Sequence, residues 1–326
     1  MPSVQTVRGP VDVAALGRTF MHEHVFVLST EHVQNYGEGA WWDEEERVDD
    51  AVAKLRELLD RGITTIADPT VWGLGRYIPR IARIAERVPE LNIIAATGIY
   101  SYNDIPFQYY YRGPDTLLGG GSDPMIADFT RDLTEGIAGT GVRAGFLKCA
   151  IDQPGLTPGV ERILRAVAGA HRETGAPVTV HTESSIHAGR TVVDLLGKEG
   201  VDLTKVVIGH AGDSNDLDYL MELADTGAIL GMDRFGLDVI NPTADRVDTV
   251  VALCERGYAD RMVLSHDASC FIDWFGPDPE TLRSMAPNWN YRHISDDVLP
   301  VLRERGVTEA QLDQMLVENP RRYFSN

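Results

Sequence analysis

The chain has 326 residues, 43% hydrophobic and 24% charged, an ordinary globular balance that excludes disordered and fibrous classes. Thirty basic against 49 acidic side chains give a formal charge of −19, which keeps the chain soluble and disfavours nucleic acid and membrane partners. No apolar run reaches membrane-spanning length, the N-terminus lacks a signal-peptide layout, and Cys149, Cys254 and Cys270 show no close pairing, so a cytoplasmic protein is expected.

Short apolar, β-branched runs alternate with helix-length amphipathic segments along the whole chain. The pattern predicts strands at 19–27, 64–68, 93–97, 145–150, 178–182, 206–210, 229–233 and 262–267. Helices are predicted between them at 47–61, 78–87, 125–137, 160–174, 191–199, 216–225 and 246–256, with Gly62, Gly175, Gly227 and Gly257 as stops. Such a strand–helix alternation predicts a (β/α)8 TIM barrel. A doubly wound sheet is the rival, but no Gly-rich phosphate fingerprint follows the first strand. Without a Pro/Ser-rich linker, one domain over 1–326 is expected.

Two connections are long. One, from Leu28 to about Glu46, carries Tyr36, Trp41 and Trp42. The other, from Ala268 to about Tyr291, carries Phe271, Trp274, Phe275, Trp289 and Tyr291. Both follow strands, which places them on the catalytic face of a barrel. Their aromatic side chains either face substrate or pack the loops onto the rim.

The chemistry gathers at the strand ends. In an extended strand residues two apart share a face, so His22 and His24 project together while Glu23 points away. Lys148 lies in the fourth strand, and His181, His210 and Asp267 end the fifth, sixth and eighth. Burying such unpaired polar groups at one barrel level would be costly without a metal. Lys148 is the odd member. It is either a salt-bridged or outward-facing lysine, or a neutral amine that has taken up carbon dioxide to become a carbamate ligand.

These motifs, with Leu74-Gly75-Arg76-Tyr77, Thr97-Gly98-Ile99-Tyr100, Ile208-Gly209-His210 and Gly231-Met232-Asp233-Arg234-Phe235-Gly236, resemble the phosphotriesterase branch of the amidohydrolases. Within it the chain looks like the phosphotriesterase-like lactonases, from Val4 to Phe324. The resemblance implies a binuclear centre. His22, His24 and Asp267 would hold one divalent ion and His181 and His210 the other, with carboxylated Lys148 and a hydroxide bridging them. Zinc is the first expectation; cobalt, iron and manganese suit the same ligands.

Tyr100 looks like the lactonase tyrosine that orients the substrate carbonyl. Arg234 stands where phosphotriesterases proper have a histidine proton shuttle; its plainer reading is a salt bridge to Asp233 or Asp68. Asp267 would move the proton, while Phe271 and Trp274 would line an apolar channel for an acyl tail. The expected activity is hydrolysis of N-acyl-homoserine lactones and related alkyl lactones, hence quorum quenching, with weak phosphotriester hydrolysis and a homodimeric state. A dedicated organophosphate hydrolase and a non-catalytic barrel binding a lipophilic ligand are the rivals. Glu183, close after His181, departs from the lactonase pattern and adds a carboxylate; His187 reads as a surface helix residue. The reactivity of Cys270 stays open.

Overall fold

The computed structural model describes residues 2–37, 43–114, 116–275 and 279–325. Trp41 and Trp42 lie outside the described residues. Eight strands pair in parallel and in sequence order: Arg18–Phe20, Ile63–Asp68, Asn92–Gly98, Phe146–Ile151, Val178–Thr182, Val206–Gly209, Ile229–Met232 and Met262–Leu264. Helices Glu44–Leu59, Ile78–Arg87, Pro124–Thr134, Pro158–Thr174, Ala188–Lys198, Leu217–Asp225 and Thr243–Glu255 follow the first seven strands. Short helical pieces between Ile294 and Phe324 follow the eighth. This is the expected (β/α)8 barrel. No helix among the described residues is long and apolar enough to cross a membrane.

Local chemistry explains the element ends. Thr157 accepts the Val160 N–H at 3.2 Å, Pro158 occupies the first helical turn, and Gly175 ends the helix at φ +72°. Each strand's twofold alternation sends one set of side chains into the barrel. Phe146, Val207, Ile229 and Val263 fill its deep end, together with Tyr323 and Phe324 from the last helix, Asn319–Phe324. The Tyr323 hydroxyl closes that end with a 2.8 Å hydrogen bond to Thr179. Apolar packing thus occupies one end and polar groups collect at the other.

The predicted first strand, 19–27, is broken, and the eighth stops at Leu264. Glu23 is the reason. Its fully buried carboxylate accepts from the Ser265 hydroxyl at 2.9 Å, the His266 N–H at 2.9 Å, His266 Nδ1 at 2.6 Å and the Ala268 N–H at 3.2 Å. Donors of the eighth strand's continuation therefore go to a side chain. Pairing resumes beyond it, where Ser269–Ile272 runs parallel to His24–Val27 and joins the first strand to the last. The sequence pattern also passed over the hairpin of Ser3–Thr6 with Gly9–Asp12 and the helices Thr30–Tyr36 and Pro279–Met285 within the two long connections.

Candidate metal centre

The six predicted ligands meet at the C-terminal mouth of the barrel. Asp267 Oδ1 lies 3.2 Å from both His22 Nε2 and His24 Nε2. His210 Nε2 lies 2.8 Å from His181 Nδ1 and 3.8 Å from Asp267 Oδ2. Lys148 Nζ sits 3.3 Å from His22 Nε2. Two of these residues leave the strand conformation to get there, His210 at φ +65° and Asp267 at φ +55°. That region is rare for residues with a Cβ and is held here by specific bonds. Asp233 accepts the His210 N–H at 2.8 Å, and the His22 carbonyl accepts the Asp267 N–H at 3.0 Å.

Outer partners decide which nitrogen of each ring faces inward. The buried Asp233 carboxylate accepts from His22 Nδ1 with one oxygen and from His210 Nδ1 with the other, each at 2.9 Å. A side chain at Gly231 would collide with that carboxylate, so glycine there makes room for it. His181 donates from Nε2 to Asp152 at 2.6 Å. His24 donates from Nδ1 to Thr70 at 2.7 Å, and the Thr70 hydroxyl donates in turn to Asp68 at 2.5 Å. His22 Nε2, His24 Nε2, His181 Nδ1 and His210 Nε2 are thus left as lone-pair donors to the centre.

Burial favours the neutral form of His22, His181 and His210. It lowers the pKa of His22, lowers that of His210 far below the usual value and brings His181 to about 4. Burial alone would raise Asp267, but His22, His210, His24 and Arg234 outweigh it and hold the carboxyl well below its usual range. Burial also pushes the Lys148 ammonium down to about 8, against the pull of Asp267 and Asp233. Four lone pairs and a carboxylate therefore converge with few protons between them, the donor chemistry a divalent cation satisfies. His22, His24 and Asp267 place ligand atoms within 4.8 Å of one another. His22, His210 and Asp233 form a similar cluster, but there the carboxylate meets ring N–H groups and orients them.

Arg234 does form the salt bridge, with other partners than Asp233 or Asp68. Its Nε donates to Asp267 Oδ2 at 3.0 Å and its Nη1 to Asp213 Oδ2 at 2.9 Å. Asp233 is occupied by the two histidines, and Asp68 by Thr70 and the Val25 N–H. The Tyr100 hydroxyl lies 3.2 Å from His181 Nδ1 and 2.6 Å from the Tyr102 hydroxyl. Burial raises the Tyr100 pKa well above the usual value, so the phenol keeps its proton.

A cavity of about 210 Å³ opens above these groups, walled by Leu237, Ile240, Ile272, Trp274, Phe275 and Trp289. Trp274 lines this cavity, and Phe271 does not. Its ring lies under the Arg47 guanidinium at 4.4 Å, in a neighbouring cleft beside helix Glu44–Leu59, because alternation along strand Ser269–Ile272 turns it away from the cavity that Ile272 lines. Tyr36 is exposed on its own helix, while Tyr291 is buried and donates to the His24 carbonyl. Glu183 spends its carboxylate on the Ser185 N–H at 2.9 Å, and His187 packs on Tyr219 with ring centroids 4.5 Å apart. Burial pushes the Cys270 thiol up to about 12, so it is held protonated.

Sequence reasoning missed Asp152, Tyr102, Thr70 and Asp213 as neighbours of the centre, and gave Asp233 the wrong partner. Asp233 was the most accessible of them, since it ends the predicted seventh strand at the level where His181 and His210 end theirs. The others sit in turns whose course follows only from the folded chain.

A parallel barrel with a histidine–carboxylate cluster at its C-terminal mouth is the build of a metal-dependent hydrolase. The chain belongs to the phosphotriesterase family, whose model matches residues 2–324. It is 57% identical over 325 residues to the phosphotriesterase homology protein of Mycobacterium tuberculosis, covering 99% of this chain and 98% of that one. Identity is 38% over 311 residues to the aryldialkylphosphatase of Saccharolobus solfataricus, covering 95% of each. The solved structure of the phosphotriesterase from Mycobacterium tuberculosis superposes with a TM-score of 0.96 at 56% identity, covering 99% of this chain and 98% of that one.

Proposed function

We propose that the protein opens N-acyl-homoserine lactones and related alkyl lactones, and cleaves phosphotriesters only weakly. The observation that carries this reading is an arginine, Arg234, tied to Asp267 beneath an apolar cavity with the protonated Tyr100 at its edge. His22, His24 and Asp267 would hold one divalent ion and His181 and His210 a second, with Lys148 between them as a carbamate formed from its amine and carbon dioxide with loss of a proton. Zinc heads the candidates, before cobalt, iron and manganese. Bound there, such ions would supply a Lewis acid and lower the pKa of a water.

The protein's own groups do the rest. Tyr100 donates its hydroxyl hydrogen to the lactone carbonyl oxygen, where negative charge develops on attack. Asp267 accepts the proton of the attacking water and returns it to the ring oxygen as the ester bond breaks. Arg234 stays charged between two carboxylates, so it holds Asp267 in place and shuttles no proton. Leu237, Ile240, Trp274 and Phe275 seat the alkyl tail away from water. The same reading places a homodimer in the cytoplasm.

Lactone hydrolysis by metal-replete protein and by a His22→Ala, His24→Ala double variant tests the assignment. Near-complete loss in the variant is expected, and equal activity would sink it. A second reading, phosphotriester hydrolysis as the main activity, draws support from the relative named aryldialkylphosphatase.

A further inference from the structure

We infer that Arg246 is a positioning residue for the reaction, acting on Asp267 through Asp213 and Arg234. Arg246 projects from helix Thr243–Glu255 and is 1% exposed. Its guanidinium donates from Nε to the Asn241 carbonyl at 3.0 Å, from Nη1 to the Gly212 carbonyl at 2.7 Å and from Nη2 to Asp213 Oδ1 at 2.6 Å. The other Asp213 oxygen takes Arg234 Nη1 at 2.9 Å, and Arg234 Nε reaches Asp267 Oδ2 at 3.0 Å. Four charges of alternating sign thus run in contact from the outer helix layer to the floor of the cavity.

Packing alone does not call for a charge at this position. A buried guanidinium is expensive to desolvate, and a neutral side chain could fill the same volume. The Gly212 carbonyl already accepts from Asn241 Nδ2 at 3.0 Å, so the turn after His210 has a second anchor. What Arg246 adds is a claim on one oxygen of Asp213. A carboxylate and a guanidinium prefer the two-pronged arrangement, with both oxygens on one fork. With Oδ1 held by Arg246, Asp213 has a single oxygen to offer Arg234, and Arg234 keeps its Nε for Asp267. Without Arg246, Asp213 is free to take Arg234 Nη1 and Nη2 end-on with both oxygens, which swings the guanidinium and carries Nε off Asp267. The carboxylate that moves the proton then loses its support.

This inference rests on the proton-transfer role given to Asp267. Its test measures kcat and KM of Arg246→Met, Arg246→Lys and Asp213→Asn, Arg246→Met proteins on a medium-chain lactone and a neutral phosphotriester, together with bound metal and the unfolding midpoint. Misplacement of a reacting group costs up to about 100-fold, so Arg246→Met should lower kcat by about 10- to 100-fold on the better substrate. KM should stay within about twofold and bound metal unchanged, since ground-state binding is untouched. The double variant should recover most of kcat, because the carboxylate competing for Arg234 is gone. A folded Arg246→Met protein with wild-type kcat would overturn the inference, as would loss of metal in step with activity. Failure of both single variants to fold would make Arg246 purely structural. A wild type that hydrolyses only the phosphotriester would defeat the lactonase reading alone, and the Arg246 comparison would stand on that substrate.

Discussion

His181 Nδ1 and His210 Nε2 face each other across 2.8 Å, while each ring's proton is held on its far side by Asp152 or Asp233. Two lone pairs at that separation repel, and neither ring can reverse its tautomer to donate to the other without stranding a carboxylate. A cation drawing on both nitrogens removes the conflict.

Asp233 is the outer group with the widest reach, since it orients His22 and His210 together. Replacing it, as Asp233→Ala, should weaken metal binding about 10- to 100-fold, the usual cost of losing such a partner. Competition against a chelator would measure this. Unchanged affinity would remove Asp233 from any role in holding the ligands.

Tyr100→Phe keeps the ring against His181 and deletes only the hydroxyl. On lactones kcat should fall on the order of 100-fold, as for other single donors to a developing oxyanion, with metal content intact. A variant with wild-type kcat would show that the phenol takes no part.

The metal-free protein should be sensitive to mild acid. His22, His181 and His210 have pKa values lowered by burial, to about 4 for His181, whereas in the unfolded chain a histidine titrates near its usual value. Below about pH 6.5 the unfolded state therefore binds protons that the fold excludes. The stability is fully present above that pH and is lost as pH falls towards the folded values. Each such histidine contributes up to about 1.4 kcal/mol per pH unit in this window. Urea midpoints of chelated protein from pH 7 to 5 should fall less steeply for His181→Asn than for wild type, and parallel curves would contradict the mechanism.

Glu23 closes the barrel between its first and last strands, with side-chain exposure of 0% for both Glu23 and its partner His266. Glu23→Ala leaves four buried donors without an acceptor and should cost about 3–5 kcal/mol. A denaturant midpoint corresponding to less than about 1 kcal/mol would show that backbone pairing suffices at this junction.

Much of this was legible in the residues. Strand Val178–Thr182 and helix Ile78–Arg87 stand where periodicity and β-branching placed them, and the strand-end histidines converge because a parallel barrel brings strand ends together. The broken first strand was not legible. Glu23 finds its partners 242 to 245 positions away, and only closure of the barrel brings them near. Phe271 misled because it lies in a strand, Ser269–Ile272, whose alternation turns Ile272 toward the cavity and Phe271 away from it, against the Arg47 guanidinium. The partners of Arg234 were hidden for a related reason, since Asp213 reaches it through the turn after His210.

The most direct measurement is the kcat/KM of metal-loaded protein on a medium-chain N-acyl-homoserine lactone beside a neutral phosphotriester. Lactone efficiency should exceed phosphotriester efficiency by about 100-fold or more, the size of effect a single well-placed oxyanion donor produces. A preference for the phosphotriester would contradict the roles given to Tyr100 and Arg234.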